Sequence, residues 1–218
     1  IIRKHPQKVV GDSMVGAGRG HIAALLREAG CDIVEIRGDM NPGFGGVHPE
    51  PIMPHLQALA DAIAGLPGYF GVATDGDADR VGAMDEDGVF VDPHKIMSLA
   101  LRHLVEARGH AGKGIRTVST TRMIDRLAAK YGLQVEETPV GFNHIADHML
   151  AGDVLIGGEE SGGISFTGHI PEGDGVLMGL LVVEMVARSS GSLRALVADL
   201  LASDGPAHYA RKDLRHSR

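Results

Sequence analysis

The sequence has little that could stack on bases, form cross-links or span a membrane. It contains no Trp, and aromatic residues make up 4% of its 218 residues, which leaves few rings to stack on nucleic-acid bases. The single cysteine, Cys31, excludes an intrachain disulfide and a multi-cysteine metal site, so we expect a buried thiol and a reducing, cytoplasmic location. The longest apolar run, residues 175–187, is interrupted by Glu184 and falls short of the roughly 20 residues that a membrane-spanning helix needs.

The charge balance argues against polyanionic partners. The chain has 28 acidic and 21 basic residues, a formal net charge of −7, and an acidic surface repels both phosphate backbones and anionic membranes. With 44% hydrophobic residues and 31 glycines, the composition is typical of a globular chain with many tight turns. We therefore predict neither nucleic acid nor a membrane as partner. Because the first residues contain neither an initiator Met nor a signal-like apolar core, we expect an internal piece of a longer protein.

Short β-rich runs alternate with amphipathic helical runs, which predicts α/β layers. The pattern predicts strands over 8–14, 31–38, 68–74, 117–121, 134–141 and from 153, a hairpin around 85–88, and helices over 18–30, 53–65, 92–108, 122–132, 142–150, 175–187 and 192–203. Because the pattern restarts near residue 90, the sequence predicts two similar three-layer α/β domains with mixed sheets in tandem. We place them at 1–90 and 91–205, with 206–218 as a linker or tail.

An acidic loop, residues 75–80, follows the predicted strand over 68–74. Asp75, Asp77 and Asp79 stand at alternate positions and Arg80 follows them, so an extended loop would project the three carboxylates to one side. Carboxylates held that close raise one another's pKa unless a cation neutralises them. Oxygen ligands suit Mg²⁺ or Ca²⁺, with Mn²⁺ as a further option, and an arginine suits a phosphate. The loop therefore predicts a site for a metal ion and a phosphate.

Two other interpretations of the acidic loop stay open at this point. A solvated turn rich in Asp and Gly needs no ligand. An EF-hand would place Asp75 at position 1 and Glu86 at position 12. Against the EF-hand, Arg80 occupies the position where glycine is required, and the flanking residues are predicted as strands rather than helices.

Glycine-rich loops elsewhere offer weaker signals. Gly16, Gly18 and Gly20 separate a predicted strand from a helix, but their spacing is not that of the dinucleotide fingerprint, so we favour a tight structural turn over a phosphate site. Residues 159–161, with Glu159 and Ser161, lie between glycine pairs and offer acceptors for sugar hydroxyls. That loop and the one at 138–142 could equally be plain turns.

Seven motifs, taken together, resemble those of the α-D-phosphohexomutases, the phosphoglucomutase and phosphomannomutase family. In chain order they are GDSMVGAGRG, FGGVHPEP, TDGDADR, STTRMIDRLA, ETPVGF, LIGGEESGG and GHIPEGDG. The family has four domains, and this chain resembles the second and third. The resemblance therefore implies that a first and a fourth domain of the same protein complete the site.

The resemblance also implies a role for each matched residue. It implies that Asp75, Asp77 and Asp79 bind Mg²⁺ and that Arg80 contacts the phosphate handled there. For the sugar it implies four further residues. Gly141 and Phe142 would lie beside the ring, and Glu159 and Ser161 would bind hydroxyls.

The activity implied is intramolecular phosphoryl transfer between the 1- and 6-positions of a hexose phosphate, through a phosphoserine on the first domain. The isolated chain would then lack turnover. Two positions depart from the family pattern: Asn143 stands where a lysine is common, and Gly173 where a basic residue is common. These departures support an alternative, a non-catalytic relative that binds a phosphosugar or a metal.

Overall fold

The computed structural model describes residues 1–189, 191–208 and 210, so most of the predicted tail over 206–218 lies outside the described residues. The strands are β1 (Lys8–Asp12), β2 (Asp32–Ile36), β3 (Phe70–Thr74), β4 (Val81–Met84), β5 (Phe90–Val91), β6 (Lys113–Thr117), β7 (Val135–Thr138), β8 (Val154–Gly158) and β9 (Ile164–Phe166). The helices are α1 (His21–Glu28), α2 (Gln57–Ala64), α3 (Pro93–Glu106), α4 (Met123–Lys130), α5 (Phe142–Ala151), α6 (Gly175–Arg188) and α7 (Leu193–Asp204).

The strands form two mixed sheets of similar topology, which confirms the predicted fold class. The first has the order β2-β1-β3-β4-β5 and the second β7-β6-β8-β9. In each sheet the first three strands run parallel, and the next strand pairs antiparallel with the third. The hairpin loop between the third and fourth strands is therefore the acidic loop in the first sheet and residues 159–163 in the second. We call the latter the Glu159 loop.

Each face of the first sheet is covered by helices. Val9 and Val10 are neighbours on β1, and both are fully buried. Because alternate side chains of a strand point to opposite faces, they enter different clusters: Val9 packs with residues of α1 and α6, and Val10 with residues of α2. Because helices cover both faces of the sheet, the loops at the ends of its strands are its accessible part.

Helix α6 joins the two sheets into one apolar core. It packs against β3 and β4 of the first sheet, β9 of the second, and helices α1 and α3. Its sequence is apolar on almost every side, as in a helix buried all round, and one cluster accordingly contains both Val72 of β3 and Ile156 of β8. Strand β5 crosses the predicted boundary at residue 90 and pairs with β4. The division into domains at that residue stays a prediction.

Two local predictions were wrong around the second sheet. The predicted strand over 117–121 coincides with β6 only at Thr117. Beyond it the chain turns, with the Thr120 N–H donating to the Thr117 carbonyl at 3.0 Å and their hydroxyls 2.9 Å apart. β-Branched residues favour strands, but threonine hydroxyls also stabilise turns. Strand β9 was missed because its three residues are too few to show alternation.

Two expectations drawn from composition can be compared with the fold. Cys31 is buried, as predicted, and its Sγ lies 3.3 Å from the backbone nitrogen of Gln7. No single helix in the described part of the chain is long and apolar enough to cross a membrane. Helices α6 and α7 meet that test only jointly, across a bend.

Candidate functional site

The acidic loop is a turn in which three carboxylates converge. It joins β3 to β4, whose closing pair is Thr74 and Val81, and Ala78 adopts a left-handed φ of 67°. The left-handed residue interrupts the extended conformation under which the alternate spacing would project the three carboxylates to one side. One carboxylate oxygen each of Asp75, Asp77 and Asp79 nevertheless lies within 4.8 Å of the other two. Within the described residues this is the one group of three or more potential metal ligands so close together.

The three carboxylates differ in their surroundings. Asp75 is fully buried, and its burial raises its pKa, although hydrogen bonds from Arg80 act in the opposite direction. Asp77 is exposed, and the Asp79 side chain is 44% exposed. One oxygen of Asp79, Oδ1, is nonetheless buried and accepts no hydrogen bond from any described residue, although the Arg80 Nε lies 3.5 Å from it. A buried carboxylate oxygen without a donor is costly, so a hard divalent cation fits this donor set.

Arg80 lies among acidic groups. Its Nε donates to Asp75 Oδ2 at 2.6 Å, its backbone N–H donates to Asp75 Oδ1 at 3.1 Å, and its Nη1 lies 3.8 Å from Glu50 Oε1. Glu50 is buried and was missed by sequence reasoning, although an acid within the FGGVHPEP motif was an available signal. Asp75 and Glu50 together hold the guanidinium beside the carboxylate group, and about a third of the side chain, 32%, stays exposed.

The glycine loop after β1, residues 16–20, packs against the backbone of the acidic loop. The Ala17 N–H donates to the Gly76 carbonyl at 2.9 Å, and a Cβ at Gly16 would lie 2.7 Å from the carbonyl oxygens of both Asp75 and Gly76. The Gly20 N–H, at the start of α1, donates to Glu35 Oε1 at 2.6 Å. A carboxylate thus occupies the position where an anion would bind, which supports the interpretation of this loop as a structural turn.

The predicted sugar-binding residues come together in the second sheet. Glu159 Oε1 accepts the Gly141 N–H at 2.8 Å, across a separation of 18 residues. Gly141 has a φ of 131°, and Phe142 begins α5 directly after it. A Cβ at Gly163 would lie 3.5 Å from the Phe142 ring. Ser161 lies at the tip of the same Glu159 loop, so all four predicted residues border one region.

The acidic loop and the Glu159 loop meet at the junction of the two sheets. Arg80 and Gly163 form an isolated antiparallel bridge, and the Val81 N–H donates to the Gly162 carbonyl at 3.1 Å. The two loops occupy equivalent places in their sheets, so the pairing brings the candidate metal ligands and the candidate sugar ligands to one junction. Sequence reasoning placed both loops but had no signal for their pairing.

The two positions that depart from the family pattern also lie near this junction. A Cβ at Gly173 would lie 2.7 Å from the carbonyl oxygen of Asp79, so this glycine touches the acidic loop. Asn143 follows Phe142 in α5, and its Oδ1 would lie 2.6 Å from a Cβ at Gly141. Both residues therefore border the candidate site.

The EF-hand interpretation is wrong. The acidic loop is flanked by strands β3 and β4. Glu86, which would be the bidentate ligand, instead accepts the backbone N–H groups of Leu193 at 2.7 Å and Arg194 at 3.0 Å. It thereby caps the N-terminus of α7 and is unavailable to a calcium ion in the acidic loop.

Comparison with known proteins gives matches along nearly the whole chain. Residues 1–88 match the family model for phosphoglucomutase/phosphomannomutase, alpha/beta/alpha domain II, and residues 92–203 match that for domain III. A phosphoglucomutase/phosphomannomutase of Thermococcus kodakarensis is 33% identical, with 99% of this chain and 46% of the relative covered. A phosphoglucosamine mutase of Bifidobacterium adolescentis is 34% identical, with 88% of this chain and 42% of the relative covered.

A solved structure also matches. The crystal structure of a protein assigned as a phosphomannomutase from Thermus thermophilus is 38% identical in sequence and superposes with a TM-score of 0.86. The match covers 93% of this chain and 47% of that one. The chain thus spans less than half the length of each of these proteins.

Proposed function

Since the chain belongs to the phosphoglucomutase/phosphomannomutase family, we propose that it forms the central part of a Mg²⁺-dependent phosphohexomutase. The proposed reaction is phosphoryl transfer between the 1- and 6-positions of a hexose phosphate. One observation carries the proposal: three carboxylates within 4.8 Å of one another lie beside Arg80 and directly across the sheet junction from the Glu159 loop. Metal, phosphate and sugar functions would then share one site.

In this proposal Asp75, Asp77 and Asp79 hold Mg²⁺. The buried Oδ1 of Asp79, which accepts no hydrogen bond from the described residues, supports this assignment, as does the all-oxygen donor set, which hard cations prefer. When bound, the ion would polarise a phosphoryl oxygen and offset the charge that develops during transfer.

Arg80 would bind the phosphoryl group through the exposed part of its guanidinium. Its Nε is held by Asp75, and the buried Glu50 lies on its Nη1 side. These contacts restrict the side chain before substrate arrives, so less conformational entropy is lost on binding. A positioned cation of this kind stabilises charge on a transferring phosphoryl group.

The Glu159 loop and the loop at 138–142 would hold the sugar. The Gly141 N–H holds one carboxylate oxygen of Glu159 by a hydrogen bond. The second oxygen would accept a hydrogen bond from a sugar hydroxyl. Ser161 would contribute a further hydroxyl contact, while Phe142 would present an apolar surface to the ring. The phosphoryl donor, a phosphoserine, would come from a first domain outside this chain, and a fourth domain would hold the phosphate that does not react.

A second candidate is a non-catalytic phosphosugar- or metal-binding protein of the same ancestry. Asn143 and Gly173 favour it, because both border the candidate site and neither carries the positive charge common at these positions. A complete protein that binds Mg²⁺ and glucose 1-phosphate without converting it would establish this candidate in place of the mutase. The 218-residue chain alone is expected to show no turnover under either proposal.

Calorimetric titration of the chain with magnesium chloride tests the metal assignment. Asp77→Asn is the variant of choice, because Asp77 is the exposed ligand and its replacement disturbs no buried contact. We expect Mg²⁺ affinity to fall at least about tenfold, since a lost ligand costs no less than a lost supporting group. Asp61→Asn, at an exposed position of α2, is the matched control and should leave the affinity unchanged. Equal affinity of Asp77→Asn and the wild type would refute the assignment.

A further inference from the structure

Arg19, in the glycine loop, differs from the other arginines that are at least partly buried. Its side chain is half-buried, its Nη1 donates to the Gly16 carbonyl at 3.0 Å, and no acidic side chain among the described residues pairs with it. Each of the other four such arginines in the described part of the chain forms an ion pair: Arg37 with Asp12, Arg80 with Asp75, Arg102 with Asp199 and Arg116 with Asp125. A charge partly withdrawn from water is costly without a partner of opposite sign, so Arg19 is a candidate to bind an anion.

Arg19 lines a cavity beside the acidic loop. The cavity has a volume of about 190 Å³, and its walls are the glycine loop, part of residues 40–44 in the loop after β2, and Gly76 of the acidic loop. Arg19 is the one charged residue among the described residues that line it. Sites that enclose a whole drug-sized ligand measure about 300–1,000 Å³, so this smaller cavity suits one compact group.

The other walls of the cavity add a hydrogen-bond donor and apolar surface. Asn41 Oδ1 accepts the Gly43 N–H at 3.0 Å, which leaves the amide nitrogen of Asn41 as the donor that it offers to the cavity. Met40, 74% exposed, and Phe44 supply apolar surface. The planar fork of an arginine binds two oxygens of a phosphate at once, and an amide donor can bind a third. The lining therefore fits a phosphate group.

This cavity is separate from the two anion positions already described. At the N-terminus of α1, the Gly20 N–H donates to Glu35, so a carboxylate of the chain already occupies that position. Arg80 lies where the acidic loop meets the Glu159 loop, whereas the cavity lies on the side of the acidic loop that faces the glycine loop after β1. A phosphate bound by Arg19 would therefore occupy a position of its own.

We infer that Arg19 and Asn41 form a phosphate-binding subsite beside the acidic loop. The ligand that the subsite takes is a small phosphate anion. The inference goes beyond the proposed function, in which Arg80 contacts the phosphoryl group, and it does not depend on bound Mg²⁺. The backbone of the glycine loop keeps its structural role, because the side chain of Arg19 supplies the charge.

Titration of the 218-residue chain with sodium phosphate, in EDTA and at constant ionic strength, tests the inference by amide NMR spectroscopy. In the wild type we expect the amide signals of Ala17 and Asn41 to shift and saturate. Arg19→Gln should bind phosphate at least about tenfold more weakly, because it loses hydrogen bonds from a charged donor. Arg19→Lys keeps the charge without the fork and should lie between the two. Arg27→Gln, which removes the same charge at an exposed position of α1, is the matched control and should bind as the wild type does.

The outcomes separate this subsite from the phosphate contact proposed for Arg80. If Arg80→Gln loses phosphate binding while Arg19→Gln keeps it, the inference fails and the role of Arg80 stands. Equal weakening in Arg27→Gln would also overturn the inference, because the effect would then belong to the overall charge. Circular dichroism verifies that each variant is folded. Should Arg19→Gln not fold, the wild-type spectrum decides, since unshifted signals of Ala17 and Asn41 would rule the subsite out.

Discussion

A partly buried ion pair ties α3 to α6, the helix that supports the acidic loop. Glu184 Oε1 lies 3.0 Å from His103 Nε2, and Glu184 Oε2 accepts from Arg108 Nη2 at 2.6 Å. The Glu184 side chain is 19% exposed and that of His103 7%. The bond from His103, followed by that from Arg108, lowers the pKa of Glu184 to about 2, against the cost of burial.

The stabilisation of the folded protein by this ion pair follows from the difference between this pKa and the ordinary value of 4.5. At about 1.4 kcal/mol per pH unit, it amounts to about 3 kcal/mol at neutral pH. A carboxyl group whose pKa is lowered on folding stabilises the protein above its ordinary pKa. That contribution is lost progressively as the pH falls from 4.5 through about 2.

The Glu184→Gln variant should therefore unfold at a lower urea concentration than the wild type. Its free energy of unfolding near pH 7 should be lower by about 2–3 kcal/mol. The gap in unfolding free energy between the variant and the wild type should narrow below pH 4.5 and close at about pH 2. Urea titrations followed by circular dichroism across this range measure both. Glu28→Gln is the control, because the Arg3–Glu28 pair is exposed on both sides, 71% and 68%, and such pairs contribute little. A gap that stays constant with pH, or one no larger than that of Glu28→Gln, would refute this reasoning.

Two further predictions concern stability. Glu86→Gln weakens the cap that the first sheet's hairpin supplies to α7, and it should lower the free energy of unfolding in urea by about 1 kcal/mol. Asp87→Asn is the control on the same turn, because Asp87 is exposed and pairs only with a side chain, so its replacement should cost less. Equal losses in the two variants would contradict the capping role. Leu101→Ala, at a fully buried position of α3, should cost about 2–5 kcal/mol. Leu150→Ala, at a side chain 73% exposed, should be nearly neutral, and a comparable loss there would show that burial does not set the effect.

Much of the fold could be predicted because its signals are local. Most of the helices begin or end close to glycines, prolines or capping residues visible in the sequence. Helix α3, for example, begins behind Asp92, whose side chain accepts the Lys95 N–H at 3.1 Å. The errors arose where local signals conflict or are too short. The threonines after β6 have strand-forming side chains but close a turn, and β9 has only three residues.

The candidate site divides in the same way. Asp75, Asp77, Asp79 and Arg80 lie within one short loop and could be singled out from their types and spacing. Their spacing indicated that they could come together, but not the left-handed turn at Ala78 through which the loop runs. No periodicity in the chain indicated that turn.

The sequence by itself determined the alternation of strands and helices, the residues with the chemistry of a metal and sugar site, and the family resemblance. Only the tertiary structure decided that the acidic loop and the Glu159 loop pair, that Glu50 supports Arg80, that Glu86 caps α7, and that the Gly175 N–H donates to the Ala78 carbonyl in the acidic loop. The physical reason is the range of the interactions. Periodicity and capping act over a few residues, whereas these contacts join residues 30 to more than 100 positions apart, and only the packing of the two sheets around α6 brings them together.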